Sequence, residues 1–527
     1  MNATQESLIA EIKKRVSDKI LEQSNADLLI KLIKNADSLD EAINIAALGT
    51  TYKRTGLHFD KRLEESKSDT IRYFKKNESL SFHTDDSKPT HKLIIGDNYE
   101  ALQNLLIQYK GLVDVIYIDP PYGKDSMGQF AKTNYHNAIT RDNLLSMLYP
   151  RLELAKQLLS DSGVIFCSID DKNQAYVKCL FDEVMGENNF VASFVVIRAE
   201  GGGMAKKAVI GHDYCLTYAK NINEYFPLAK TRDIRGKIFE KDGVRYWIQE
   251  DWLRREFGKY GTCLYEEIEK YKGKAFKKEV DAKIDSGDYI LVPKDNNTHI
   301  VGKLINIEES GGKFYTILKH LNKNGIKEIE ELGLNFDYPK PTSLTKELIG
   351  GATFYKKNTD VYILDFFAGS GTTGHAVSDL NEKDNGNRTF ILCQLNENLD
   401  EALKSATGNA KITIENQIAL CDKYDRPHEL SEITAERLRR IMTGECYDGT
   451  TDFEWIKKNK PYGGNLDVYE IESVADFEWT NGKTPFDVID ETLYGKEKFA
   501  TIKEKIEWVC SNFDKTQKYL EQVKTEE

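Results

Sequence analysis

From Lys92 onward, short apolar runs alternate with amphipathic stretches of helical period, a pattern that predicts an α/β domain with a mainly parallel sheet. KLIIGD (92–97), VDVIYID (113–119) and GVIFCSID (163–170) read as strands, with helices over NYEALQNLLIQYKG and NLLSMLYPRLELAKQLL between them. A helix over DKNQAYVKCLFDEVMG follows, then two strand-like runs, FVASFVVIRA (190–199) and HDYCLTYAK (212–220). The loop GGGMAKK joins these two runs, and its glycines make it flexible enough to close over a ligand.

Residues 221–335 break the rhythm with scattered aromatics and short mixed segments, and read as an inserted domain. The α/β pattern returns with DVYILDFF (360–367), a Gly-rich turn, the helix TTGHAVSDLN and the strand TFILCQL (389–395). One sheet is therefore expected from two separated parts of the chain. Residues 1–90 read as mostly helical and highly charged, and a helical, Arg-containing stretch, ITAERLRRIM, leads after about residue 430 into an acidic, aromatic tail. The expected divisions are 1–90, a catalytic part at 91–220, the insertion at 221–335, a cofactor-binding part at 336–430, and a C-terminal domain at 431–527.

Length supports several domains, since single cores stop growing at roughly 250–300 residues and this chain has 527. The beginning, MNATQESLIAEIKKRVSDKI, has no continuous apolar segment of a signal peptide, and no later stretch offers a membrane span, so a soluble, cytoplasmic chain is expected. Eight cysteines without a CxxC pair and nine histidines without short ligand spacing predict buried thiols and no metal. The net charge of −12 opposes nucleic-acid binding only as a whole-chain average: the insertion holds 21 Lys/Arg against 20 Asp/Glu and is nearly neutral. Its lysines 272, 274, 277 and 278 suit either phosphate contacts or a solvated helix face.

Two motifs carry chemistry. Asp119-Pro120-Pro121-Tyr122 follows directly on a buried strand, where open α/β sheets place their ligands. The Asp119 carboxylate and the Pro120 carbonyl, exposed by a stiff diproline segment, can accept the two hydrogens of an amine, and Tyr122 offers a face for stacking a base. A plain turn would use the same residue types. Asp365-Phe366-Phe367-Ala368-Gly369-Ser370-Gly371-Thr372-Thr373-Gly374 joins a second buried strand to a helix, whose N-terminus and glycines let a ligand approach the backbone. Gly369, Gly371 and Gly374 also satisfy the dinucleotide fingerprint GxGxxG, with the acidic Glu397 23 residues beyond, so a nicotinamide enzyme is a rival reading. Order favours another: a dinucleotide turn usually opens the first βαβ unit, whereas this one follows Asp119 by some 245 residues.

With both motifs in this order, the sequence resembles the β-class amino-methyltransferases of DNA, and within them the modification (Mod) subunit of Type III restriction-modification systems. The resemblance runs through HKLIIGDNYEAL, VIYIDPPYG, VIFCSIDD, HDYCLTYAKN, FDYPKPTSLTKELI, DFFAGSGTTGHA, RTFILCQLNE and ITAERLRRI, spanning about 350 residues. It implies a Rossmann-like methyltransferase fold with permuted motif order and helical N- and C-terminal regions. It implies S-adenosylmethionine as cofactor, held by Lys340, Pro341, Asp365, Phe367, Gly369, Gly371 and Thr372, with Glu397 on the ribose. Asp119, Pro120, Pro121 and Tyr122 become the catalytic set for methylation of N6 of a flipped-out adenine, 221–335 the target-recognition domain, and His212-Asp213 a packing and base-pocket element. Double-stranded DNA, a homodimer and a Res-type ATPase-nuclease are the implied partners. Cytosine-N4 or another amino group as substrate, and a non-catalytic DNA-binding scaffold, are the alternatives.

Overall fold

The computed structural model describes residues 5–17, 21, 23–48, 72–121, 140–200, 208–231, 236–241, 243–307, 310–356 and 359–473. It divides into two units, residues 1–58 and 59–527. The first is a helical trio, Gln5–Ser17, Gln23–Lys34 and Leu39–Leu48, closed around Ile12, Ala26, Ile33, Ala42 and Ala46. Leu8, Ile9, Ile12 and Val16 recur at helical spacing, which turns one stripe of the first helix toward that core.

The second unit is built on one large sheet. Across it run Arg72–Lys76, Asn465–Ser473, Thr90–Ile95, Asn387–Gln394, Asp360–Asp365, Val113–Ile118, Leu159–Ile169, His212–Ala219, Phe190–Ile197 and Ile317–Lys319. The strands from Asn465–Ser473 to Leu159–Ile169 are all parallel, and His212–Ala219 then pairs antiparallel with both its neighbours. Leu93, Val115, Val164, Ile363 and Phe390 pack on one face with Leu344, Leu348, Val377 and Leu380 of two helices, Thr342–Ala352 and Thr372–Asp384. The alternate positions Ile94, Ile116, Ile165, Leu364 and Ile391 point to the other face and are also buried. Burial on both faces is why these strands read as unbroken apolar runs.

The sheet crosses two of the expected divisions. Arg72–Lys76 forms an edge strand of this sheet although 1–90 reads as helical, and Asn465–Ser473 inserts between it and Thr90–Ile95 although 431–527 reads as a separate tail. Polar residues interrupt both runs, RYFKK at the sheet's edge and NLDVYEIES one strand in, so both lack the apolar signature of the central strands. Residues 474–527 and Gly201–Lys207 lie outside the described residues.

The insertion has its own four-stranded antiparallel sheet, Tyr289–Pro293, His299–Asn306, Val244–Gln249 and Ile238–Lys241 in that order. Its core is separate: Trp252, Leu253, Cys263, Ile268, Val280 and Val301, with the Trp252 indole donating to the Val301 carbonyl at 2.8 Å. The excursion ends before residue 335, because Ile317–Lys319 has already rejoined the large sheet beside Phe190–Ile197. The lysine patch lies on the helix Ile268–Asp285, where Lys272 pairs with Glu256, Lys274 with Glu269 and Lys277 with Asp281. Among the described residues seven cysteines are free thiols, and six of them are buried. No helix among the described residues is long and apolar enough to cross a membrane, and they hold no metal-ligating cluster.

Candidate active site

The Asp-Pro-Pro strand and the Gly-turn strand, far apart in the chain, are hydrogen-bonded neighbours. Ile363 pairs with Val115 and Leu364 with Ile116, so the two strands end side by side and deliver Asp119 and Phe366–Gly371 to one edge of the sheet. At the opposite end, Lys356 donates to Asp114 at 2.6 Å and to Ser162 at 2.8 Å, while the Tyr362 amide donates to the other Asp114 oxygen. This half-buried polar clasp sits at the irregularity between Val113 and Val115 and pins the register that aligns the two motifs.

Asp119 Oδ1 is sealed from solvent while the side chain as a whole keeps 25% of its surface. Burial raises its pKa above the ordinary carboxylate value, and the Lys340 ammonium, 3.1 Å from Oδ1, opposes that shift. Lys340 also lies 3.9 Å from Asp213, whose carboxylate is 3.2 Å from Arg198. Burial raises Asp213 as well, with Lys340 and then Arg198 working against it. A row of alternating charges, Arg198, Asp213, Lys340 and Asp119, thus runs behind the end of the Asp-Pro-Pro strand. Pro120 is buried and Pro121 half-buried; Tyr122 lies outside the described residues.

The Gly turn is shaped by two left-handed glycines, Gly369 (φ 52°) and Gly371 (φ 79°), the latter capping the helix Thr372–Asp384. A Cβ on Gly371 would stand 3.3 Å from Thr434 Cγ2, whereas one on Gly369 would meet only ordinary contacts. Asp365 closes the turn from inside, accepting from the Phe367 amide at 3.0 Å and the Thr373 hydroxyl at 2.5 Å. Complete burial pushes its carboxyl up to about 7 despite those two donors. Phe367 is half-buried, and Glu397 lies half-buried just past the adjoining strand Asn387–Gln394. Side-chain-free backbone at a helix N-terminus, an aromatic ring and a carboxylate past the next strand form a donor set that fits a nucleoside carrying an amino acid.

The buried polar residues that hold these loops were not singled out by the motifs. Asn98 donates to the Phe366 carbonyl at 2.7 Å and is itself held by buried Arg151. Thr434 donates to the Gly369 carbonyl at 2.6 Å, and Arg437 reaches Ser370, Thr372 and Thr342. One signal was present: Arg437 sits on the same helical face as Thr434, Leu438 and Ile441, a cation within an otherwise enclosed stripe.

Comparison with known proteins agrees with this geometry. Residues 113–405 match the family model of the N6/N4 DNA methylases, and residues 5–115 match a family described as an uncharacterised conserved protein. The Mod subunit of the Type III restriction-modification enzyme StyLTI from Salmonella typhimurium is 32% identical over 68% of this chain and 58% of its own length. The EcoPI Mod subunit of Escherichia phage P1 is 27% identical over 59% of each chain. The Type II methyltransferase M.KpnI of Klebsiella pneumoniae is 28% identical over 58% of this chain and 80% of its own. The match to the two Mod relatives therefore spans less than two thirds of their length. With the family model covering both chemistry-bearing strands and everything between them, the chain belongs to the N6/N4 DNA methylase family.

Proposed function

We propose that the protein transfers a methyl group from S-adenosylmethionine to N6 of adenine in DNA, as the modification subunit of a Type III restriction-modification system. The observation that carries this reading is the pairing of the Asp119 strand with the Gly-turn strand, which brings the Asp119 carboxylate and the Gly turn to one edge of the sheet. When bound, S-adenosylmethionine supplies an electrophilic methyl on a sulfonium sulfur.

Gly369, Gly371 and Thr372 receive it at the turn, with Phe367 and Asp365 beside them, Lys340 on the approach from the Pro-Lys-Pro element and Glu397 suited to the ribose hydroxyls. Asp119 accepts one N6 hydrogen and the Pro120 carbonyl the other, drawing the nitrogen lone pair out of conjugation. Pro121 stiffens that loop, and Tyr122 is assigned to stacking on the extruded base, whose flipping costs a few kcal/mol. The proton that N6 would shed on methylation can pass to water, so Asp119 need only accept a hydrogen bond and need not become a base. Lys340 opposes the rise that burial imposes on the Asp119 carboxyl and so favours its ionised form, which gives the Pro-Lys-Pro lysine a role toward the acceptor as well as the donor.

The insertion, with its own sheet and core, is assigned to target recognition on double-stranded DNA. A homodimer, a Res-type ATPase-nuclease partner and a cytoplasmic setting follow from the Mod reading. Adenine is favoured over cytosine N4 by aspartate, rather than serine, before the two prolines.

Tritiated S-adenosylmethionine and DNA lacking methyladenine test the reading. Label recovered as N6-methyladenine is expected, and Asp119→Ala lowers the rate by at least about a thousandfold. Label in N4-methylcytosine would overturn the adenine assignment. DNA binding with no label in either base would leave a non-catalytic scaffold.

A further inference from the structure

Arg437 is fully buried and has no carboxylate within ion-pair distance among the described residues. An enclosed guanidinium without an anion is costly, so its hydrogen bonds are its compensation. They go to two different places. Nη1 donates to the Ser370 hydroxyl at 2.7 Å, the Thr372 hydroxyl at 3.0 Å and the Ser370 carbonyl at 3.3 Å, all in the Gly turn. Nη2 donates to the Thr342 hydroxyl at 3.2 Å and faces His375 Nδ1 at 3.3 Å.

Thr342 is the residue directly after Pro339-Lys340-Pro341, and the Lys340 carbonyl accepts from Thr372 at 3.4 Å. The same lysine holds Asp119 at 3.1 Å. Arg437 thus grips the donor turn with one amino group and the segment carrying the Asp119 partner with the other. Its own helix is fastened independently, through Thr434 to the Gly369 carbonyl and through Leu438, which lies 2.6 Å from where a Cβ on Gly374 would stand.

We propose that Arg437 is a positioning residue that fixes the donor-binding turn relative to Asp119 by bridging Ser370 and Thr372 to Thr342. The proposal rests on the methyltransferase reading above. A planar guanidinium with donors diverging in a rigid fork can span both sides, whereas a lysine ammonium is a single point that satisfies one. The positive charge alone would be kept by either.

The test uses the full chain with S-adenosylhomocysteine binding by calorimetry and steady-state methylation in parallel. Arg437→Lys is expected to weaken S-adenosylhomocysteine about tenfold and to lower kcat about tenfold, with the KM for DNA unchanged. Thr342→Val, isosteric and confined to one leg of the bridge, is expected to lower kcat while leaving S-adenosylhomocysteine affinity within about twofold; Ser370→Ala does the reverse. In an Arg437→Lys background, Thr342→Val lowers kcat by less than it does in the parent, because the bridge it interrupts is already broken. Arg437→Lys with both quantities within about twofold of the parent overturns the proposal, as do effects of Arg437→Lys and Thr342→Val that simply multiply. Should Arg437→Lys fail to fold, Thr342→Val without a change in kcat overturns it alone. A parent protein that binds no S-adenosylhomocysteine sinks the methyltransferase reading instead.

Discussion

The large sheet and the inserted sheet solve the same packing problem in opposite ways. In the large sheet both faces are covered, the central strands are almost continuously apolar, and the polar groups that remain inside, Arg151, Asp365, Arg388 and Arg437 among them, are bonded into loops and strand ends. The insertion has four short strands, largely half-exposed, and a core of a few side chains around Trp252. Its lysines are spent on local ion pairs and on aromatic faces, such as Lys277 over Tyr265 at 3.8 Å and Lys303 over Trp252 at 4.1 Å. In the first region buried hydrogen bonds fix the Gly turn and the ends of the strands beside it. The second, with a shallow core of its own, can change sequence without disturbing the chemistry.

Removing the insertion's anchor is the strongest way to break that contrast. Trp252→Ala deletes the centre of a small core and orphans the Val301 carbonyl, and about 3–5 kcal/mol of local stability should go with it. DNA affinity is expected to fall in a gel-shift titration while S-adenosylhomocysteine binding stays intact. Loss of both together would mean that the two sheets do not fold as separate cores.

Gly371→Val strikes the other side. A β-branched residue at φ 79° is strained, and its Cβ crowds Thr434, so S-adenosylhomocysteine affinity should drop by about ten- to a hundredfold. Calorimetry on this variant should show DNA binding close to the parent's. An unchanged donor affinity would remove the turn from the site.

The smallest effect sharpens what burial means for the large sheet. Asp365 holds its proton up to about pH 7 when folded, well above the ordinary value of 3.8, so in this window the folded state carries more protons than the unfolded chain. Its contribution to stability therefore falls as pH rises from about 4 to about 7 and is level above that, by up to about 1.4 kcal/mol per pH unit. Asp365→Asn removes the titration but leaves one of the Phe367 and Thr373 donors facing an amide NH2. The variant should melt below the parent at pH 5, with the gap closing by pH 8. A gap that widens with pH contradicts the raised carboxyl.

Much of this was legible along the chain. Unbroken apolar runs located the central strands, the residues after two of them located Asp119 and the Gly turn, and the loss of rhythm after residue 220 located the insertion, because these features depend on local period and turn chemistry. The edge strand Arg72–Lys76 and its neighbour Asn465–Ser473 were not legible, since polar residues interrupt both runs and each takes its identity from the strand it pairs with. Nor was the part played by Lys340 toward Asp119, or by Arg437 toward the turn: what a buried charge does is set by the atoms that fold around it.

By itself, then, the sequence determined the central strands, the helices between them and the residues that end them, for each such choice is decided within a few neighbours. The tertiary structure alone decided that the strands ending at Ile118 and Asp365 lie side by side, and that Asn98, Lys340, Thr342 and Arg437 close around their ends. Pairing across more than two hundred residues and the satisfaction of buried polar groups are properties of the packed whole, and no local pattern records them.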